Sequence, residues 1–228
     1  MQGTDTVIVT GGASGLGRAV ACAVHERGGH PLVLDRNPAN GFDHEVVDLA
    51  ETRRVEAMVE RICHHLPGHL RGVVAAAGID ACGPLERTDP QAWERVVAVN
   101  LLGNAAVIRA AIPHLEAGGG RVVTVASTLG RRALPDATAY CASKFGMVGF
   151  TQSLAAELAG RVGVTLLIPG GMATGFFDER DARYRPGPDA DLNDPRNVAE
   201  AVLFALEQPR GCEVRELVIA TATEPSWP

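Results

Sequence analysis

The chain has 228 residues, of which 46% are apolar and 4% aromatic, and its formal net charge is −6. That length suits one α/β domain or two small ones, with a core of Ala, Val, Leu and Ile. The acidic balance supplies no electrostatic reason to bind nucleic acid or an anionic membrane, and no apolar stretch is expected to approach the length of a membrane span.

In chain order, Thr6–Thr10 reads as a first strand and Gly15–Arg27 as a first helix. Between them runs Thr10-Gly11-Gly12-Ala13-Ser14-Gly15-Leu16-Gly17. Glycines at a strand-to-helix turn let backbone amides approach a pyrophosphate, and the helix N-terminus adds its positive dipole end. No Gly-Lys-[Ser/Thr] follows, which disfavours a P-loop nucleotide hydrolase. Pro31–Asp35 is the second strand. Asp35 ends it 18 residues beyond Gly17, where a carboxylate accepts hydrogen bonds from an adenosine ribose and repels a 2′-phosphate. NAD is therefore expected over NADP, although Arg36 would meet a 2′-phosphate if it folded inward.

The stretch Arg36–His44 is too short for a crossover helix, so one layer is expected to be thin there. Glu45–Val47 reads as a third strand, Glu51–Leu66 as a helix and Gly72–Ala77 as a fourth strand. Asp89 and Pro90 start a long helix that runs, with a break or none, to about Leu115. Arg121–Ser127 is a strand, Thr138–Leu158 a helix and Val162–Ile168 a strand. Pro195–Glu207 is a helix with Asp194 as N-cap, and Val214–Ala220 is the last strand. Gly175–Asp194, rich in charge, Gly and Pro, reads as a mobile loop or lid. This alternation predicts an α/β fold over residues 1–228: a doubly wound parallel sheet of Rossmann type, three-layer α/β/α, in a single domain.

The five cysteines are scattered and odd in number, without Cys-x-x-Cys, which fits free thiols in a reducing cytoplasm. Cys63, His64, His65 and His69 lie between a helix and a strand and read as a solvated helix end, with no metal site expected.

Lys144 is the only lysine, four residues after Tyr140, which is one of two tyrosines. On a helix this spacing puts the ammonium and the phenol on one face. A neighbouring positive charge favours the phenolate, so the phenol's pKa is expected to fall and Tyr140 to serve as an acid/base group. Ser127, at a strand end thirteen residues before Tyr140, is placed to hydrogen-bond a substrate oxygen. Asn100 is a polar residue inside an apolar helical run and needs internal partners.

Taken together, Thr10–Gly17, Asn100, Ser127 and Tyr140 to Lys144 resemble the short-chain dehydrogenase/reductase family in its compact single-domain form. The resemblance implies catalytic roles for Asn100, Ser127, Tyr140 and Lys144. Asn100 would kink its helix and hold a water beside Lys144, and Lys144 would hold the nicotinamide ribose. It implies a dinucleotide lying along Gly11, Ser14, Gly15, Leu16, Gly17, Asp35, Arg36, Asp48, Leu49, Ala77, Gly78, Tyr140, Lys144, Pro169, Gly170, Met172 and Thr174. Asp48 would contact the adenine, and Pro169-Gly170 with Thr174 the nicotinamide amide. One departure is Ala75-Ala76-Ala77-Gly78, where the family has Asn-Asn-Ala-Gly; some loss of rigidity is expected there.

The implied activity is hydride transfer between NAD and a small secondary alcohol or ketone. The alternatives are an NADP-dependent ketoreductase resembling 3-oxoacyl reductases, or a dinucleotide-binding regulator without catalysis. A sugar epimerase of related fold would need a further substrate domain. Residues Ala105–Ile108 and Phe145, Met147, Val148 and Phe150 place apolar side chains on more than one helix face. Family members pair through these helices, so a homodimer or homotetramer is expected. The lid's Arg180, Arg183 and Arg185 alternate with Asp178, Glu179 and Asp181 and read as a solvated, self-paired segment. A site for an anionic substrate group is the other reading. Phe176 and Phe177 are placed to line the pocket.

Overall fold

The computed structural model describes residues 5–227. Seven parallel strands form one sheet: β1 (Thr6–Thr10), β2 (His30–Asp35), β3 (Asp43–Val46), β4 (Leu70–Ala75), β5 (Arg121–Val125), β6 (Gly163–Pro169) and β7 (Glu216–Ile219). Their order is β3-β2-β1-β4-β5-β6-β7, so the chain reverses its winding direction between β1 and β4. The helices are α1 (Gly15–Glu26), α2 (Thr52–His64), α3 (Pro90–Val97), α4 (Asn104–Gly118), α5 (Thr138–Glu157) and α6 (Pro195–Leu206).

Period-two alternation sorts the strand side chains onto two faces. Val7 and Val9 of β1 pack with Leu16, Val20 and Val24 of α1 and Val202 and Leu203 of α6. Ile8 packs in the opposite layer, with Val55 and Val59 of α2 and Val107 and Ile108 of α4. Each face is thus covered, which is why the central strands read as unbroken apolar runs. Helix starts follow local chemistry. Asp89 accepts the Ala92 N–H at 2.9 Å and Asp194 accepts the Arg196 N–H at 2.9 Å, each followed by Pro at the first helical position.

The break allowed for in the long central helix is a π-helical segment, Ala98–Gly103, which contains the buried Asn100. Two expectations need correction. Pro90–Gly118 as a whole is long and apolar enough, by composition, to cross a bilayer; here 56% of its most apolar window is buried within the fold. The second correction concerns the fourth strand, which stops at Ala75. Ala76 and Ala77 leave the sheet because the Ala77 N–H is taken by the Thr10 hydroxyl at 3.0 Å.

The short connection after β2 is thin, as read from the sequence, yet closed. Ala39 is fully buried against Ala21 and Val33, and Phe42 packs beside it. The apolar second faces of α4 and α5 are also mostly covered within one chain: Val107, Ile108 and Met147 are fully buried, while Leu102 and Phe145 remain exposed. His64 and His65 spend their Nδ1 atoms on carbonyl groups of their own helix, and among the described residues no group of three or more His, Cys, Asp or Glu is arranged to hold a metal ion.

Candidate active site

All strands point the same way, so their carboxyl ends share one edge of the sheet. Thr10, Asp35 and Pro169 end β1, β2 and β6, and Ser127 lies two residues past β5. That edge, at the winding reversal, is where open α/β sheets bind ligands.

The glycine loop is built for close approach. Gly11 has φ +72° and Gly15 φ +54°, in the left-handed region. A Cβ on Gly17 would lie 2.3 Å from the Gly11 carbonyl oxygen, so α1 can begin against the loop only if this position is glycine. Buried Leu16 anchors the first turn in the core, while Ser14 precedes the helix in extended conformation with its side chain exposed. Asp35 is drawn to the same loop: Oδ2 accepts the Ala13 N–H at 3.0 Å and Oδ1 the Asn37 N–H at 2.9 Å.

The four predicted catalytic side chains come together. Ser127 accepts the Leu129 N–H at 3.1 Å through Oγ, which fixes its rotamer, and its hydroxyl is close enough to Tyr140 to favour the phenolate. Lys144 is 4% exposed; its Nζ lies 5.5 Å from the centre of the Tyr140 ring and donates to the Val125 carbonyl at 2.8 Å. Asn100, fully buried, accepts the Ile79 N–H at 2.8 Å and donates to the Ile79 carbonyl at 2.9 Å and to Ser143 Oγ at 3.0 Å. Ser143 in turn donates to the Tyr140 carbonyl at 2.7 Å, linking the π segment to the turn of α5 that carries Tyr140. A Cβ built on Gly78 would stand 3.6 Å from both Asn100 Oδ1 and Lys144 Nζ, so both side chains flank this position.

The electrostatics overturn one expectation. Burial pushes the Tyr140 phenol above its ordinary pKa, against the pull of the Ser127 hydrogen bond, instead of its falling under the ammonium's influence. The same burial pulls Lys144 down to about 8. The sequence shows the two charges adjacent but not how dry their surroundings are.

Residues 5–185 match the family model described as short chain dehydrogenase. This protein belongs to the short-chain dehydrogenase family. It is an oxidoreductase of that family. An uncharacterized oxidoreductase of Staphylococcus aureus strain MW2 is 31% identical over 230 aligned positions that cover 95% of this chain and 97% of that protein. Carbonyl reductase family member 4 of Danio rerio is 32% identical, covering 89% of this chain and 91% of the fish protein. Glycine betaine reductase ATRR of Emericella nidulans is 32% identical over 96% of this chain, which spans only 19% of that larger protein. Among solved structures, a Mycobacterium paratuberculosis short chain dehydrogenase bound to NAD superposes with TM-score 0.80 at 21% identity, covering 96% of each chain. A metagenomic short-chain oxidoreductase in complex with NADP superposes with TM-score 0.79 at 24% identity, covering 95% and 96%.

Within this short-chain dehydrogenase, the other residues predicted to line the dinucleotide have protein partners of their own. The Asp48 carboxylate is occupied by the Ala50 N–H at 3.0 Å and Arg95 at 2.7 Å. Burial opposes its ionisation, yet these two bonds hold it below its ordinary value. Arg36 is exposed, and its charge also favours the Asp48 carboxylate. Leu49 is buried and acts as packing at the end of β3. Pro169 and Gly170 are buried, with the Gly170 N–H on the Ile219 carbonyl at 2.8 Å. Met172 pairs with Asn193 across the base of the lid, and Thr174 lies next to Gly15 and accepts the Phe176 N–H through Oγ1.

Three features carried no sequence signal. Asn104, 1% exposed, donates to the Ala77 carbonyl at 3.0 Å and accepts the Thr10 hydroxyl at 2.7 Å. It braces the loop where the family's asparagines are replaced by alanine, so the expected loss of rigidity is offset. Glu224, from the C-terminal tail, accepts the Gly171 N–H at 2.8 Å beside the loop after β6. Arg180 leaves the lid's own acids and pairs with Asp80, whereas Arg183 stays with Asp181 at 3.9 Å.

Proposed function

We propose that this chain transfers hydride between a nicotinamide dinucleotide and a secondary alcohol or ketone, with Tyr140 handling the proton. The convergence of Ser127, Tyr140, Lys144 and Asn100 beside the glycine loop carries this reading. A dinucleotide-binding regulator would need neither the Ser127–Tyr140 pair nor a buried ammonium.

The chain fits such a cofactor. The glycine loop has no Cβ at Gly11, Gly15 or Gly17, where the backbone leads into α1, and Gly78 opens the space beside Lys144. One of the ammonium's three N–H donors is spent on Val125, which leaves donors for ribose hydroxyls. When bound, the nicotinamide ring supplies or accepts the hydride. Gly11, Gly15 and Gly17 would hold the pyrophosphate, Asp35 the adenosine ribose, and Thr174 with the loop after β6 the carboxamide end.

The residues divide the proton work. Tyr140, its pKa raised by burial, holds its proton and is poised to donate it to a carbonyl oxygen. Ser127 shares the charge that develops on that oxygen. Lys144 holds positive charge beside the phenol as it ionises, and Asn100 fixes the backbone between them. NAD is favoured over NADP because Asp35 presents its carboxylate at the glycine loop, while Arg36 carries its charge near Asp48. The relatives bear on the coarser point, since the two solved structures above hold NAD in one case and NADP in the other. The exposed Leu102 (52%) and Phe145 (44%) support pairing of two copies through the π segment and α5, which equilibrium sedimentation measures directly.

A panel of secondary alcohols and ketones, each run with NAD(H) and with NADP(H), tests the function. Turnover of a ketone with NADH is expected. Dinucleotide binding without turnover on any member would favour the regulator.

A further inference from the structure

The lid is fastened to the cleft floor by one charged pair that the chemistry above leaves without a role. Asp80 lies two residues past Gly78, with its side chain 5% exposed. Its Oδ1 accepts the Ala81 N–H at 2.7 Å, and its Oδ2 accepts the Cys82 thiol at 3.1 Å and Arg180 Nη2 at 2.5 Å. Arg180 reaches it from the lid, 100 residues along the chain, with its own side chain 16% exposed. The guanidinium lies 5.1 Å from the Phe176 ring and 4.6 Å from Phe177, and the Phe176 ring is 5.7 Å from that of Tyr140. A second tie runs from the Tyr184 hydroxyl to Asp136 Oδ2 at 2.8 Å, just ahead of α5.

We propose that Asp80 and Arg180 form a charge-neutral clasp that holds Phe176 over Tyr140 and selects uncharged carbonyl substrates over anionic ones. The selectivity rests on the hydride-transfer reading above; the clasp itself does not.

An arginine over a reacting centre is ordinarily a receptor for carboxylate or phosphate, because its planar fork matches two oxygens. Here one arm of the fork, Nη2, is already engaged by a carboxylate that is itself buried and bonded through both oxygens, and the other, Nη1, donates to the Tyr184 carbonyl at 3.3 Å. An anionic substrate would have to displace Asp80 and then lie beside it, with two like charges in a dry site. Asp80 and Arg180 both act electrostatically on Tyr140, with opposite signs, so the pair offers an incoming anion no net positive charge. The other lid arginines do not relieve this. Arg183 lies over the Tyr184 ring and beside Asp181, and Arg185 gives its Nε–H to the Arg180 carbonyl at 2.7 Å. What remains next to Tyr140 is the aromatic wall of Phe176, while the Arg180 Nε–H is buried and unpaired.

Two measurements test this. Amide hydrogen exchange over residues 176–184 needs no turnover. Asp80→Asn and Arg180→Gln should each speed lid exchange by about tenfold or more while β4 and β5 stay protected, with Arg180→Lys in between. Unchanged lid exchange in both variants would overturn the clasp. The second measurement compares kcat/KM for the best ketone of the panel with that for the same skeleton bearing a carboxylate. The wild type should prefer the neutral ketone. Asp80→Asn should move the ratio toward the carboxylate by about tenfold or more, and Arg180→Gln should move it the other way. A merely structural pair would depress both substrates alike, so a fixed ratio, or a wild type that prefers the carboxylate, overturns the selectivity. If no ketone turns over with either dinucleotide, the hydride-transfer reading and the selectivity fall together, while lid exchange still decides the clasp.

Discussion

Asn104→Ala tests how this chain manages without the family's asparagines after β4. The Asn104 side chain donates to the Ala77 and Asn100 carbonyls at 3.0 Å each and accepts the Thr10 hydroxyl at 2.7 Å, in a position 1% exposed. Truncation strands the Ala77 carbonyl and the Thr10 O–H where no water reaches them. Each stranded group costs about 1–3 kcal/mol, and the lost volume adds about 1 kcal/mol, for a total of about 3–7 kcal/mol. For a chain of this length that lowers Tm by roughly 6–28 °C. Denaturant melts at fixed protein concentration, without dinucleotide, give the number. Thr10→Val breaks the same junction from the other side, since the Thr10 oxygen also accepts the Ala77 N–H at 3.0 Å. The two substitutions should therefore couple by about 1–3 kcal/mol in a double-mutant cycle. A loss below about 1 kcal/mol for Asn104→Ala, with additive energies in the cycle, would refute the brace.

Asp35→Ala should weaken NAD binding and relax rejection of NADP, read as the ratio of the two dissociation constants; an unchanged ratio would assign the preference elsewhere. Gly17→Ala places a methyl group 2.3 Å from the Gly11 carbonyl oxygen, so it should distort the start of α1 and abolish dinucleotide binding, as isothermal titration would show. Lys144 gives a pH signature in the ligand-free protein. Its folded pKa, about 8, lies below the ordinary 10.5, so between these values the unfolded chain holds more protons than the folded one. The wild type should thus gain stability relative to Lys144→Met as pH rises from about 8 toward 10.5, and lose that gain on returning below 8. A stability difference flat across that window would mean that the ammonium is not penalised by burial.

The sheet and the clustering of Tyr140 with Lys144 were legible because their signals are local. Alternating strands and helices, glycines at the first turn, Asp35 at a strand end and the Tyr140–Lys144 spacing all act over a few residues, and the fold keeps them where short-range rules put them. Asn100 announced itself as a polar residue in an apolar run, and the π segment is how the chain accommodates it. What could not be read depends on distance in sequence or on dryness. Asn104 replaces bracing groups that belong to another segment. Asp80 finds Arg180 across 100 residues, and Glu224 reaches the loop after β6 from the tail. The direction of the Tyr140 shift follows from burial that only the packed chain creates, whereas spacing alone reveals its charged neighbour and nothing of the solvent around it.

The central claim is that the Tyr140 hydroxyl carries the proton in hydride transfer. Single-turnover hydride transfer in Tyr140→Phe, with dinucleotide affinity measured on the same sample, addresses it most directly. The account predicts near-normal affinity with the transfer rate lowered by about a hundredfold or more. Transfer at the wild-type rate with the dinucleotide bound would contradict it.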